Sequence, residues 1–263
     1  MRTIRHPRLF LGLMGLLLTL AWVVLWLWQH SPYGRYLDHG DWTRAGLAQS
    51  LCASLPGGEW LLPLGLYAGG WLLMSAAMML PTALPLLAGF RRMVAARRDG
   101  GRLIALLITG YLALWLGFGI TAHLLDLAVH EIAGRSLWLT FNGWAIGAGV
   151  LALAGLFQFS ALKDHCLTRC RAPAGFILRH WRGPRPNRQA IMIGLDHGLY
   201  CVGCCWALML LMFVTGTASV GWMLLLGAVM AAEKNLPGGE RLSNVIGLIL
   251  IGFAVLMTAQ NLV

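Results

Sequence analysis

One imidazole, His197, and three thiols, Cys201, Cys204 and Cys205, fall within nine consecutive positions of a segment apolar enough to lie in lipid. On a helix turning about 100° per residue, setting His197 at 0° places Cys201 near 40°, Cys204 near −20° and Cys205 near 80°, so all four share one arc of one face. Soft sulfur and imidazole held away from water suit Cu(I) or Zn(II) better than hard, oxygen-seeking cations. A structural zinc site asks for four ligands in a tetrahedron, more than one helix face supplies, whereas Cu(I) accepts two or three soft donors. Copper is therefore the first candidate and zinc the alternative.

Other soft donors recur at helical spacing. Met212 falls near 60° on the same face, and Met74 and Met78 align at i, i+4 just before Met79-Leu80-Pro81. For any one of these methionines, filling a gap in the core is the ordinary role. Cys166 and Cys170 stand four apart, which on a helix brings their Cβ atoms to about 5–6 Å, close enough for two thiolates to share an ion. His123, Asp126 and His130 lie near 0°, −60° and −20° if one helix runs through them, which outlines a second, outward-facing site. The plainer reading is a helix finishing at a membrane interface near Asp126. His30, Asp38, His39 and Asp41 form only a weak polar signal in an outer loop.

The elements that must position these residues are membrane helices. With 58% hydrophobic and 11% charged residues, twelve Trp among 263 residues and a mean hydropathy of +0.70, the chain reads as an all-α, polytopic integral membrane protein. A crossing needs roughly 20 apolar residues. Seven segments qualify: Leu9–Trp28, Leu61–Gly89, Leu103–Asp126, Leu137–Phe159, Gln189–Phe213, Thr217–Ala232 and Leu242–Gln260. The second carries Pro81 and Pro85 and is expected to kink or break near its inner end; the sixth is short. The first is read as a retained anchor, because it is Trp-rich and leads to Gln29-His30-Ser31-Pro32 without a small-x-small cleavage site. The whole chain, 1–263, is expected to be one membrane domain, with 30–60 as an outer loop and 160–188 as an inner loop carrying Cys166 and Cys170.

The formal charge of +10 is a topology signal rather than a nucleic-acid one. Seventeen of the 20 basic residues fall on one side of the seven-span arrangement. Arg91, Arg92, Arg97, Arg98 and Arg102 fill the second connection, and seven more lie between Lys163 and Arg188. The positive-inside rule then puts the N-terminus in the cytoplasm and, after seven crossings, the C-terminus outside. A reducing cytosol keeps Cys166 and Cys170 as thiols, and Cys52, alone in the outer loop, has no outer partner for a disulfide within the chain.

Three readings of the buried thiols compete. They are metal ligands, or Cys201 and Cys204 form a C-x-x-C pair of a membrane thiol-disulfide oxidoreductase, or the cysteines merely pack in a structural or assembly subunit. The redox reading needs access from an oxidising side that offers only Cys52. No G-x-S-x-G elbow, P-loop or H-E-x-x-H motif is present, so the chain is not expected to be an enzyme or to use ATP.

The run Trp71-Leu72-Leu73-Met74-Ser75-Ala76-Ala77-Met78-Met79-Leu80-Pro81, Gln158 with Leu162-Lys163, Cys166-Leu167-x-x-Cys170-Arg171-x-Pro173, His197-Gly198-x-Tyr200-Cys201-x-Gly203-Cys204-Cys205-Trp206, and Glu233-Lys234-x-x-Pro237-x-Gly239 together resemble the bacterial family of predicted metal-binding integral membrane proteins. Phe157 and Ala161 stand where that pattern has Tyr and Pro. The resemblance implies copper handling for secreted or membrane cuproenzymes. The expectation is a protein that holds Cu(I) through His197, Cys201, Cys204 and Cys205, loads it through Cys166 and Cys170, and assists its delivery or translocation. A cuproenzyme or a copper chaperone would be its partner, and the stations would lie at successive depths.

Overall fold

A computed structural model describes residues 7–31, 61–182, 184–215 and 219–262. Cys52, Asp38, His39 and Asp41 lie outside these residues, as does nearly all of the expected outer loop. Among the described residues every regular element is helical: α1 (Pro7–Gln29), α2 (Leu61–Met79), α3 (Leu84–Val94), α4 (Gly100–Arg135), α5 (Leu137–Phe141), α6 (Trp144–Phe157), α7 (Ala161–Arg171), α8 (Ala174–His180), α9 (Pro186–Thr215), α10 (Val220–Asn235) and α11 (Gly239–Leu262). Four of these, α1, α4, α9 and α11, are long and apolar enough to cross a membrane; two bent pairs raise the number to as many as six. The sixth sequence segment becomes α10, of 16 residues, shorter than the other candidates.

Proline chemistry sets the first break. Pro81 lacks an N–H and cannot continue α2, so the chain makes a 3-10 turn over Pro81–Ala83 and re-enters a helix with Pro85 in its first turn. The two halves meet at 45°. The second bend, 63° between α6 and α7, is set by Ser160, whose extended backbone ends one helix and whose Oγ caps the next by accepting from the Lys163 N–H at 3.1 Å. Ser160→Ala should cost about 1 kcal/mol in thermal unfolding, the usual worth of such a cap. In the turn joining α3 to α4, Arg97 donates to both Asp99 oxygens at 2.8 and 2.9 Å, and these bonds hold the Asp99 carboxyl below its ordinary range.

Two sequence expectations are corrected. The third segment does not finish near Asp126: α4 continues to Arg135, because no proline interrupts the run and the chain turns extended only at Ser136. The fourth segment is not one helix, since Asn142-Gly143 separates α5 from α6.

The bundle is built on glycine crossings. α9 packs mainly against α4, where a Cβ on Gly110 would lie 2.5 Å from the Ile191 carbonyl oxygen, and one on Gly194 would run into the Leu107 carbonyl oxygen. The two backbones approach this closely because both positions lack a side chain. α2 joins them through Trp71, which is fully buried, occupies the space over Gly119 and donates its indole N–H to the Trp115 carbonyl at 2.8 Å. On the outside, α1 and α11 present exposed leucines and aromatics such as Leu16, Leu20, Leu248 and Phe253, surfaces compatible with lipid.

Candidate metal centre

The thiols meet at the crossing of α7 and α9. Cys204 Sγ lies 3.9 Å from Cys170 Sγ and 3.4 Å from Cys205 Sγ, and it donates to the Cys201 carbonyl oxygen at 3.2 Å. Cys170, although 34 residues away in sequence, therefore touches the same sulfur as Cys205. Cys166 borders this group from the other side of Gly203, where a Cβ would come within 2.7 Å of its Sγ. Among the described residues all five cysteines are buried, and none is in a disulfide. Gly203 was the readable signal for this contact: a small residue inside Cys201-x-Gly203-Cys204 lets α7 come down onto α9.

Cys201 also hydrogen-bonds with the Cys170 and Cys205 thiols and has further partners. Its Sγ lies 2.9 Å from the Tyr111 hydroxyl and accepts from Lys234 Nζ at 2.8 Å. Lys234 also donates to Thr82 Oγ1 at 3.3 Å, and both Thr82 and Tyr111 donate to the Met79 carbonyl oxygen, at 2.8 and 3.2 Å. The methionine-proline break thus presents a backbone oxygen and a hydroxyl beside Cys201. Tyr111 and Thr82 were missed from the sequence because neither stands in a run of soft donors.

One turn before Cys201, His197 is buried between the rings of Tyr111 (centroids 5.7 Å apart) and Phe176 (5.0 Å, edge-on). Its Nδ1 has no hydrogen-bond partner among the described residues, an uncommon state for a buried imidazole nitrogen and one that coordination would relieve. Asp196, pointing elsewhere, accepts from His180 Nε2 at 2.8 Å and Arg179 Nη1 at 3.3 Å.

Met74, Met78, Met79 and Met212 are all buried in the core that contains the thiols. The trio of His123, Asp126 and His130 behaves otherwise. His130 Nδ1 lies 3.5 Å from an Asp126 carboxylate oxygen, while His123 stacks on Tyr67 at 4.3 Å. Among the described residues, no group of three or more His, Cys, Asp or Glu side chains is already arranged to hold a metal ion. The thiols at α7 and α9 are close pairs rather than a closed cage.

The donor chemistry can be tested against the ion. Two sulfurs bound to one thiophilic ion at about 2.3 Å each are at most about 4.6 Å apart, so the Cys170–Cys204 and Cys204–Cys205 pairs are both within bridging reach. Soft, dry and supplied with an orphan imidazole nitrogen, the group suits a monovalent soft cation.

No curated protein and no solved structure matches this chain. A family model does: that of PpoB2, described as a copper chaperone, matches residues 68–257. This stretch carries α9, α7, the Met79–Pro81 break and Lys234 together. On that match the chain belongs to the PpoB2 copper chaperone family, and its role lies in copper handling.

Proposed function

We propose that this protein carries Cu(I) as cargo between α7 and α9 and assists its delivery to exported or membrane cuproenzymes. Cys204 and Cys170 are the first pair of ligands, with Cys205, Cys201 and His197 completing the set by side-chain rotation. The observation that carries the reading is the 3.9 Å approach of Cys204 to Cys170 from different helices. Cys166, on the other side of Gly203, is the loading thiol. The stations read from the sequence as successive depths become neighbours, so transfer between them needs no movement along the membrane normal. Met74, Met78, Met79 and Met212 supply weaker thioether donors deeper in the same core, and the outer His123, Asp126 and His130 are left as a secondary, unassembled set.

Seven crossings in the bacterial inner membrane, with the N-terminus inside, complete the reading. It is supported by the one-sided distribution of basic residues and by α10, which makes the seventh crossing if its 16 residues span a locally thinned bilayer. Carriage rather than turnover is proposed because the α9 thiols are at most 1% exposed, which keeps the disulfide of a partner protein, unlike a small reagent, away from them.

Purified protein titrated with Cu(I) against a competing chelator tests the proposal. Wild type is expected to bind stoichiometrically, Cys52→Ser to match it, and His197→Ala to bind about tenfold more weakly, a loss of about 1.4 kcal/mol. Equal copper content in wild type and in a variant lacking Cys170 and Cys204 would sink it.

A further inference from the structure

The two helices that bring thiols together are both held by a third. α10 ends in Glu233-Lys234, adjacent residues that point about 100° apart, and each grips a different helix. Glu233 accepts from Lys163 Nζ at 2.8 and 2.9 Å and from Ser243 Oγ at 2.9 Å, while the same ammonium also donates to Gln158 Oε1. Lys163 and Glu233 are 0% and 1% exposed. Lys234 grips α9 through Cys201.

The grip on α7 brackets the thiols. Lys163 precedes Cys170 by seven residues, two turns on the same face. Next to Cys170, Arg171 donates to the Glu233 carbonyl at 2.8 Å, one of those left open at the end of α10, and to the Leu236 carbonyl at 2.7 Å, which it shares with the Gly239 N–H. Both ends of α7 are thus tied to one turn of α10.

A buried ion pair costs much desolvation and is a poor way to gain stability, but its hydrogen bonds are directional. It accepts one register, whereas apolar side chains accept several. We propose that Glu233-Lys234 is a two-armed clamp that sets the axial register of α7 on α9, and thereby the meeting of Cys170 with Cys204. Lys163, Glu233 and Arg171 are positioning residues for copper rather than ligands. The assignment of copper to these thiols rests on the function proposed above; the register itself does not.

The full-length protein in detergent tests both, separately. Without copper, dibromobimane cross-linking mapped by peptide mass spectrometry reads the Cys170–Cys204 approach directly. With copper, chelator competition reads affinity and X-ray absorption reads the number of sulfur ligands. In the double variant Lys163→Met/Glu233→Met, which leaves no unpaired buried charge, the expected result is unchanged helicity, cross-linking slowed about tenfold or more, and affinity lowered roughly 10- to 100-fold, as for residues that orient ligands. The sulfur count should fall as Cys170 is lost. Should that variant not fold, Arg171→Gln releases the second tie and is expected to slow the same cross-link. A folded double variant that cross-links at the wild-type rate overturns the clamp, as does absence of the cross-link in wild type. Efficient cross-linking in a wild type that binds no copper would overturn the proposed function and leave the clamp standing.

Discussion

Cys204→Ser is expected to reduce Cu(I) affinity on the order of 100-fold or more, about 2.8 kcal/mol or more, which makes it the most damaging single thiol substitution in the protein. Cys204 is the sulfur that touches both Cys170 across the helix crossing and Cys205 on its own helix. Removing it takes away both of these sulfur contacts, whereas Cys205→Ser leaves Cys204 with Cys170. Serine keeps the volume and hydrogen-bonding capacity, so the fold should survive, and a hydroxyl is too hard a donor to replace thiolate on Cu(I). Competition with a Cu(I) chelator, with circular dichroism as the folding control, measures the effect. If Cys204→Ser binds as tightly as wild type while Cys166→Ser does not, the ion sits on Cys166 rather than Cys204 and the assignment of the ligand pair is wrong.

Gly194→Val is expected to be the most damaging substitution that touches no donor. A Cβ at this position would overlap the Leu107 carbonyl oxygen and lie 2.9 Å from the Tyr111 backbone nitrogen. Those are backbone atoms of the facing helix, which cannot swing away, so α4 and α9 must separate. Overpacking typically costs about 1–3 kcal/mol, and the added β-branch places this change at the top of that range or above it. Separation also withdraws Tyr111 from Cys201 and His197. The expected result is a lower unfolding temperature in detergent together with faster labelling of Cys201 by a thiol reagent. Wild-type values for both would show that the crossing is looser than the close backbone approach implies. Gly117→Val on α4, with nothing within 4 Å of its Cβ position, is the control and should leave both unchanged.

Much of this was legible in the residues themselves. The run His197 to Cys205 contains the imidazole and three thiols at helical spacing, and helical periodicity alone dictates that they share a face. Pro81 announces the break in the second segment because a missing N–H cannot be supplied by any tertiary context. The apolar composition leaves an all-helical architecture, since hydrocarbon demands that backbone groups be satisfied within each segment. The adjacency of Glu233 and Lys234 dictates that they seek separate partners.

What the chain could not declare in one dimension was which faces meet. The contact between Cys170 and Cys204 depends on the 63° bend at Ser160, on the vacancy at Gly203 and on the ties from α10, three local features whose joint outcome is a matter of register between helices distant in sequence. Tyr111 and Thr82 were invisible for the same reason: one hydroxyl in an apolar run is chemically silent until a neighbour's sulfur is placed 2.9 Å away. Spacing along one helix is set by backbone geometry and can be counted from the sequence. Approach between helices is set by side-chain volume and hydrogen-bond direction summed over the whole crossing, and only the folded bundle resolves it.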